Sequence, residues 1–273
     1  PPLNGPATAV VAIIGGGFTG LSAALHLAEA GVDCIVLEAN TIGHGGSGRN
    51  VGLVNAGMWM PPDDVVATIG PDIGNRMLAE LGQGPDLVYS LIARHGMDCE
   101  AVRNGTLHMA VGEAGVKDNL SRAAQWQRLG APVEALGASE AARLSGAEGF
   151  AGALLDRRAG TVQPLAYARG LARAVLGAGG RIHTGTPVTG AARSGSAYKL
   201  STPAGTVSAD RIILATNVYS PVVPTMNFSE HRDELTVMHY FQFATAPLPA
   251  AIAARILPEE HGTWDTGTVM TSF

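Results

Sequence analysis

The 273-residue sequence is short of cysteine, of charge and of aromatic side chains, and each shortage closes off a class of protein. Its two cysteines, Cys34 and Cys99, form no CxxC pair and share no Cys/His ligand spacing. Neither a disulfide framework nor a zinc site is signalled, and a reducing, cytoplasmic setting fits. Charged residues make up 15% of the chain, and 18 basic against 23 acidic residues leave a net charge of −5. Without a basic run to meet a phosphate backbone, nucleic acid is not an expected partner. The eight histidines contain no HxH or HExxH spacing, so no metal site is expected. The adjacent acids Asp63-Asp64 and Glu259-Glu260 point to different sides and do not make the paired carboxylates of a hydrolase.

Long apolar runs are also scarce. Residues 9–28, uncharged over the ~20 residues a membrane helix needs, are the one stretch that hydropathy could mistake for such a helix. Gly15-Gly16-Gly17 interrupts that run where a bilayer would demand unbroken backbone hydrogen bonds, and no basic flank marks a secretory signal. No transmembrane segment is expected. What the chain has in surplus is glycine, 36 residues, nearly twice the average share of about 7%. With 46% apolar residues the chain is globular, and its length suits one to two domains.

The run at 9–28 reads as strand, turn and helix. Val10-Val11-Ala12-Ile13-Ile14 has the wholly apolar, β-branched form of a parallel strand buried on both faces. Gly15-Gly16-Gly17-Phe18-Thr19-Gly20 comes next, then Leu21, Ala24, Leu25 and Ala28 at the spacing of a helix lying on a sheet. Gly31 ends that helix, 33–37 is a second buried strand, and Glu38 stands at its carboxyl end. This is a strand, GxGxxG, helix, strand, acid unit, the pattern of a dinucleotide-binding fold. Gly15 allows the turn, Gly17 lets backbone approach a pyrophosphate, and Gly20 lets the helix pack close to the strand. The helix N-terminus offers unpaired N–H groups and a favourable dipole to the phosphates. Glu38 can accept ribose hydroxyls and would repel a 2′-phosphate, which disfavours NADP. The motif does not choose between NAD and the ADP half of FAD.

The segment beyond Glu38 makes that choice. An NAD domain would proceed to a crossover helix, but Gly43-His44-Gly45-Gly46-Ser47-Gly48-Arg49-Asn50-Val51-Gly52 is a second glycine-rich loop, and two loops can cradle two ends of a long cofactor. Here the sequence resembles the FAD-dependent oxidoreductases of the D-amino-acid oxidase superfamily, most closely the gamma-glutamylputrescine oxidase-like branch. The segments at 92–99, 105–110, 160–167, 213–220, 244–248 and Trp264-Asp265-Thr266 have counterparts there in the same order. Independently, Pro164 opens a helix with the stripe Tyr167, Gly170, Leu171, Ala174, Val175 and Ala178, closed by Gly179-Gly180. Arg181–Thr184 is a third parallel strand. The segments 197–201, 206–208 and 211–215 form a β-ribbon and a further strand, the connection of an FAD-type rather than an NAD-type domain.

The expected fold is therefore α/β: an FAD-type Rossmann-like dinucleotide domain with a parallel sheet and β-ribbon insertion, interleaved with an α+β substrate domain with a mixed sheet. Residues 1–95 and 155–220 would build the first, 96–154 and 221–273 the second.

The resemblance implies oxidation of the C–N bond of an amine or amino acid to an imine, with hydride transfer to flavin N5 and reoxidation by oxygen or a quinone-type acceptor. It implies non-covalent FAD held by Gly15, Gly17, Phe18, Thr19, Gly20, Glu38, Ala39, Gly46, Ser47, Gly48, Arg49, Asn50, Val188, Ala215, Thr216 and Asn217. Arg49 and Asn50 are the flavin-proximal candidates, and no nucleophile–base pair is required because the cofactor carries the chemistry. His239, Tyr240 and Gln242 alternate along an expected strand, one face of which would line the substrate pocket.

Three departures stand out. Val51 occupies a position where the family has glycine and is expected to crowd the flavin. Leu81-Gly82-Gln83-Gly84-Pro85 should kink or split a long helix. The chain stops at Phe273, short of the family's closing flavin-contacting segment. This points to a fragment and supplies the competing reading, a catalytically incompetent nucleotide-binding fragment.

Overall fold

A computed structural model describes residues 1–222, 236–238 and 240–273. The chain divides into two compact units, residues 1–50 with 164–242 and residues 51–163 with 243–273. Residues 51–95, expected in the dinucleotide domain, thus belong to the second unit, and so do 155–163. The exchange falls at Asn50 because the next segment pairs within the second unit, as Leu53–Val54 does with Gly160–Thr161.

With elements numbered along the whole chain, the first unit is built on a six-stranded sheet. Its strands are β1 (Ala7–Ile14), β2 (Cys34–Leu37), β8 (Arg181–His183), β9 (Gly190–Ser194), β10 (Ala197–Thr202) and β11 (Gly205–Leu214), in the order β8-β2-β1-β11-β10-β9. The first four strands of that order run parallel, and β11, β10 and β9 form the antiparallel ribbon. The two expected segments 206–208 and 211–215 are one strand, in register with β1 from Ala7↔Val207 to Ile14↔Leu214. The exposed pair Asp210-Arg211 breaks the apolar run in sequence without breaking the strand.

Alternation along β1 fills both faces of the sheet. Ala12 and Ile14 join a core of Leu3, Ile35, Leu37, Val188, Leu200 and Val207. Ile13 turns the other way and lies under Gly20 of α1 (Phe18–Glu29). Helix α1 buries Leu21, Ala24, Leu25 and Ala28, the expected stripe, and packs beside α7 (Pro164–Gly177). Gly31, at φ +73°, ends α1 in the left-handed conformation only glycine adopts freely.

The second unit contains a four-stranded mixed sheet. β4 (Thr106–Ala110), β5 (Val133–Gly137), β6 (Gly152–Asp156) and β12 (Gly262–Asp265) run in the order β12-β4-β6-β5, with β12 parallel to β4. The short strands β3 (Leu53–Val54) and β7 (Gly160–Thr161) form a separate antiparallel pair. Helices α2 (Pro62–Ile69), α3 (Pro71–Gly82), α4 (Gly84–His95), α5 (Gly112–Arg128), α6 (Ala138–Ser145) and α8 (Ala250–Ala253) complete it. The expected break at 81–85 is the single residue Gln83 between α3 and α4.

The two faces of β4 and β6 carry different cores, as a period of two requires. Leu107, Met109, Ala153 and Leu155 pack with Ala141 and Leu144 of α6. Leu154 turns to the other face, among Val65, Leu78, Ala123 and Trp126. His108 is its cross-strand partner and projects to that same face. No helix among the described residues is long and apolar enough to cross a membrane.

Candidate functional site

In the first unit, the carboxyl ends of β1, β2 and β11 and the amino end of α1 gather the glycine motif into a cradle. A Cβ on Gly15, at φ +112°, would meet the Ala215 carbonyl oxygen at 2.5 Å. One on Gly20 would overlap the Gly15 carbonyl oxygen, and one on Gly17 would reach Ser47 Oγ at 2.8 Å. Backbone neighbours thus require glycine at 15 and 20, while Gly17 lies close to the Ser47 hydroxyl.

Gly17 is the N-cap of α1 and supplies no side-chain cap. The Leu21 N–H donates to the Gly17 carbonyl at 3.0 Å, so the N–H groups ahead of it are the orphan donors of a helix start. That of Phe18 is taken by Ser47 Oγ at 3.0 Å. The Ser47 hydroxyl, accepting there, keeps its own proton to donate.

Glu38 is fixed at the tip of β2. The Gly16 N–H donates to its Oε2 at 2.6 Å and the Asn40 N–H to its Oε1 at 2.7 Å. The backbone around it is pinned by Glu38 N to the His183 carbonyl and Thr186 N to the Glu38 carbonyl, both 2.9 Å. An ionised carboxylate has about four acceptor sites, so each oxygen retains one for a hydroxyl.

The second loop lies in the same unit. Gly46–Gly48 form a 3-10 turn, and the Gly43 N–H donates to the Gly16 carbonyl at 3.0 Å, tying the loop to the first glycine motif. The Asn50 side-chain amide donates to the Gly46 and Ser47 carbonyls at 3.1 and 2.9 Å. Asn50 therefore shapes the loop. Arg49 lies 3.3 Å from His44 Nε2. Ala215 continues β11 by donating to the Ile14 carbonyl at 2.9 Å. Asn217 takes φ +47°, with its Oδ1 accepting from the Val218 N–H at 2.7 Å. Val188 is buried in the sheet core, and Ala39 is exposed beside Glu38.

The second loop takes positive φ at Gly43, +69°, and at Gly52, +85°, and not at Val51, so the β-branched residue carries no backbone strain. The structure revises one expectation. Tyr240 and Gln242 lie in no strand. Tyr240 is 74% exposed, and Gln242 is exposed with its amide donating to the Asn50 carbonyl at 3.3 Å. A sheet face lining a pocket is not formed there, because no partner strand pairs with this segment among the described residues. His239 lies outside the described residues.

The second unit carries a feature the sequence did not single out, a cavity of about 300 Å³. Val51, Leu53, Met58, Trp59, Trp126, Leu154, Trp264 and Met270 supply its apolar wall, and Asn55, Thr106, His108, Arg122 and Asp156 its polar groups. Thr106 Oγ1 donates to Asn55 Oδ1 at 2.9 Å. Arg122 is paired with Asp118 (Nε to Oδ2, 2.6 Å) and donates through Nη1 to the Trp59 carbonyl at 2.6 Å. Asp156 is paired with Arg158 at 2.6 Å, and the Arg158 guanidinium lies 4.6 Å from the Trp126 ring centre.

His108, only 4% exposed, stacks on Trp264 with ring centres 3.6 Å apart and planes 5° from parallel. Burial first, then the Arg122 guanidinium, push its pKa down to about 4 against the opposing pull of Asp118 and Asp265. The imidazole is neutral at physiological pH. Among the described residues no group of three or more metal-ligating side chains is found.

Comparison with known proteins agrees with this geometry. The model of the family described as FAD dependent oxidoreductase, DAO, matches residues 11–272. Gamma-glutamylputrescine oxidoreductase of Escherichia coli K12 is 35% identical over 218 residues, covering 80% of this chain and 51% of that protein. A probable oxidoreductase, OrdL, of Haemophilus influenzae is 29% identical over 273 residues, 99% of this chain and 63% of its own length. The crystal structure of glycine oxidase from Geobacillus kaustophilus superposes with a TM-score of 0.68 at 26% identity, covering 80% of this chain and 57% of that one. The chain thus spans between half and two thirds of the length of these relatives. Strand, glycine loop, helix and ribose-side acid stand where a dinucleotide fold needs them, and the match runs over nearly the whole sequence: the chain belongs to the DAO family of FAD-dependent oxidoreductases.

Proposed function

We propose that the protein is an FAD-dependent oxidoreductase that oxidises the C–N bond of an amine or amino acid to an imine. The observation that carries this reading is the cradle at the start of α1. Gly15 and Gly20 there face backbone that leaves no room for a Cβ, Gly17 lies against the Ser47 hydroxyl, and the Glu38 carboxylate is held beside them by the Gly16 N–H at 2.6 Å.

In this reading the helix N-terminus and the Ser47 hydroxyl bind the pyrophosphate, and the two spare acceptor sites of Glu38 take the ribose hydroxyls. Gly46, Gly48, Arg49 and Asn50 form the second loop, beside the pyrophosphate and towards the ring end. Ala215, Thr216 and Asn217 close the strand ends, and Val188 offers backbone groups to the adenine. FAD, held non-covalently by these residues, would supply a two-electron acceptor for the hydride equivalent that leaves the carbon bearing nitrogen. The protein has to hold the amine with that C–H aimed at the acceptor and exclude water from the transfer. The imine then hydrolyses, and the electrons leave to oxygen or a quinone-type acceptor. A cytoplasmic setting fits Cys34 and Cys99, both buried and neither joined in a disulfide.

The reading is tested by colour. Purified protein, or protein reconstituted with FAD, should show the two-band flavin spectrum and be bleached anaerobically by an amine or amino acid. Screening alkylamines, putrescine derivatives, sarcosine and amino acids finds the class. A flavin spectrum that none of these bleaches would refute the proposed reaction.

A further inference from the structure

The second glycine loop is gripped by two elements of the first unit, and one of them contributes a residue to which the proposed reaction gives no role. The first is α7. A Cβ on Gly43 would meet Leu165 and Ala168 at 3.1 Å, and one on Gly48 would meet Leu165 at 3.0 Å. The second is the 3-10 turn Asn217–Val222, which follows β11 and carries Tyr219. A Cβ on Gly45 would lie 2.9 Å from the Tyr219 ring carbon Cε2 and 3.6 Å from the phenol oxygen. Gly45 itself takes φ −78°, outside the left-handed region, so the ring and not the backbone asks for glycine there. The chain beneath the ring is fixed: the Tyr219 N–H donates to the Thr216 carbonyl at 3.0 Å, and Asn217 Oδ1 accepts the Val218 N–H at 2.7 Å.

Gly45 is the point from which the loop turns. It is the N-cap of the 3-10 turn Gly46–Gly48, and its carbonyl accepts the Gly48 N–H at 3.3 Å. Ser47, within that turn, accepts the Phe18 N–H at 3.0 Å. Contact therefore runs from the Tyr219 ring through Gly45 and the turn to the Ser47 hydroxyl and the first residue of α1. Asn50 bonds the Gly46 and Ser47 carbonyls, but the turn has no side-chain cap, and glycine fills four of the six positions 43–48. Glycine has the most conformational freedom to lose on ordering, so such a loop needs bracing from outside. Tyr219 is 58% exposed and adds little to the core of the unit.

We propose that Tyr219 is a positioning residue for the cofactor: its ring braces Gly45 and so fixes the second glycine loop, with the Ser47 hydroxyl set for the pyrophosphate before FAD arrives. The ring does this work and the phenol hydroxyl does not. An unbraced loop has to be ordered during binding, and that ordering lowers affinity. This inference rests on the proposed FAD site and not on the identity of the substrate.

A double-mutant cycle on the full chain, read by FAD titration of the cofactor-free protein with flavin fluorescence, tests it. Tyr219→Ala should raise the FAD dissociation constant tenfold or more, while the urea midpoint of the cofactor-free protein stays at the wild-type value. Tyr219→Phe, which keeps the ring and loses the hydroxyl, should bind FAD within twofold of wild type. Gly45→Ala, which sets a methyl group against the ring, should by itself weaken binding tenfold or more. In the Tyr219→Ala background it should add no further loss, because the brace is already gone. Should Tyr219→Ala fail to fold, Gly45→Ala and Tyr219→Phe decide instead. FAD binding by Tyr219→Ala or by Gly45→Ala within twofold of wild type, a loss in Tyr219→Phe as large as in Tyr219→Ala, or full additivity of the two single losses would each overturn the inference. Failure of the underlying reading is distinguishable. Wild-type protein that binds no FAD would overturn the cofactor site and the brace together, whereas the expected cycle with a flavin that no amine bleaches would support the brace and refute only the reaction.

Discussion

Exchanging Glu38 for glutamine separates two consequences of one carboxylate. In the wild-type chain each carboxylate oxygen accepts a backbone N–H, from Gly16 at 2.6 Å and from Asn40 at 2.7 Å. Glutamine retains a single oxygen, so its NH2 group must face one of those two donors. The lost bond to a charged acceptor, about 1.5–3 kcal/mol, exists with or without cofactor and therefore lowers stability. The ribose bonds exist only in the complex. Their change from a charged to a neutral partner, about 1 kcal/mol each for two hydroxyls, lowers affinity by about 2 kcal/mol, near a thirtyfold rise in the FAD dissociation constant. Urea denaturation of the cofactor-free protein reads the first effect, and titration followed by flavin fluorescence reads the second. A variant that is destabilised while binding FAD within twofold of wild type would show that Glu38 braces the glycine loop and does not touch the ribose.

Close packing and burial carry further expectations. Gly20→Ala sets a methyl group on the Gly15 carbonyl and near Ile13, and backbone cannot yield as a side chain can. A loss of about 1–3 kcal/mol is expected by urea denaturation, together with weakened FAD binding, and unchanged stability would contradict the close approach of α1 to β1. Gly57, at φ +90°, faces the Trp126 ring at 2.6 Å from a would-be Cβ. Gly57→Ala should therefore destabilise the chain by about 1–3 kcal/mol, and a wild-type urea midpoint would speak against that packing. His108, with its pKa pushed down to about 4 from an ordinary 6.5, binds a proton more readily in the unfolded chain. Its share of stability is full above pH 6.5 and is lost as pH falls towards 4, amounting to at most roughly 3 kcal/mol. Buried His261 is lowered in the same direction, so the comparison that isolates His108 is urea stability of wild type against His108→Gln from pH 7 to 4.5. Identical slopes for the two would contradict it.

The first forty residues were legible because several signals coincide there. A strand buried on both faces reads as an apolar run, glycines mark backbone contacts that admit no Cβ, and the helix stripe Leu21, Ala24, Leu25, Ala28 is the one buried in α1. The break at Gln83 was legible for a similar reason, since Gly82, Gly84 and Pro85 all weaken a helix interior. The ribbon was harder. Exposed Asp210 and Arg211 sit within a single ten-residue strand, and polarity alone divided it. The cavity was not legible at all. Its lining comes from residues 51–59, 106–108, 122–126, 154–156 and 264–272, and only the sheet register, with His108 opposite Leu154, shows which face of β4 looks into it. A histidine within five consecutive buried residues, Thr106–Ala110, was the available signal. Tyr240 and Gln242 were misplaced because alternating side chains describe a strand only where another strand pairs with it.

The most direct measurement is calorimetric titration of the purified, cofactor-free chain with FAD and, separately, with NAD. Saturable FAD binding at one molecule per chain, much tighter than NAD and accompanied by the two-band flavin spectrum, is the result the cradle of Gly15, Gly17, Gly20, Glu38 and the second glycine loop requires. NAD binding tighter than FAD, or no binding of either, would contradict it.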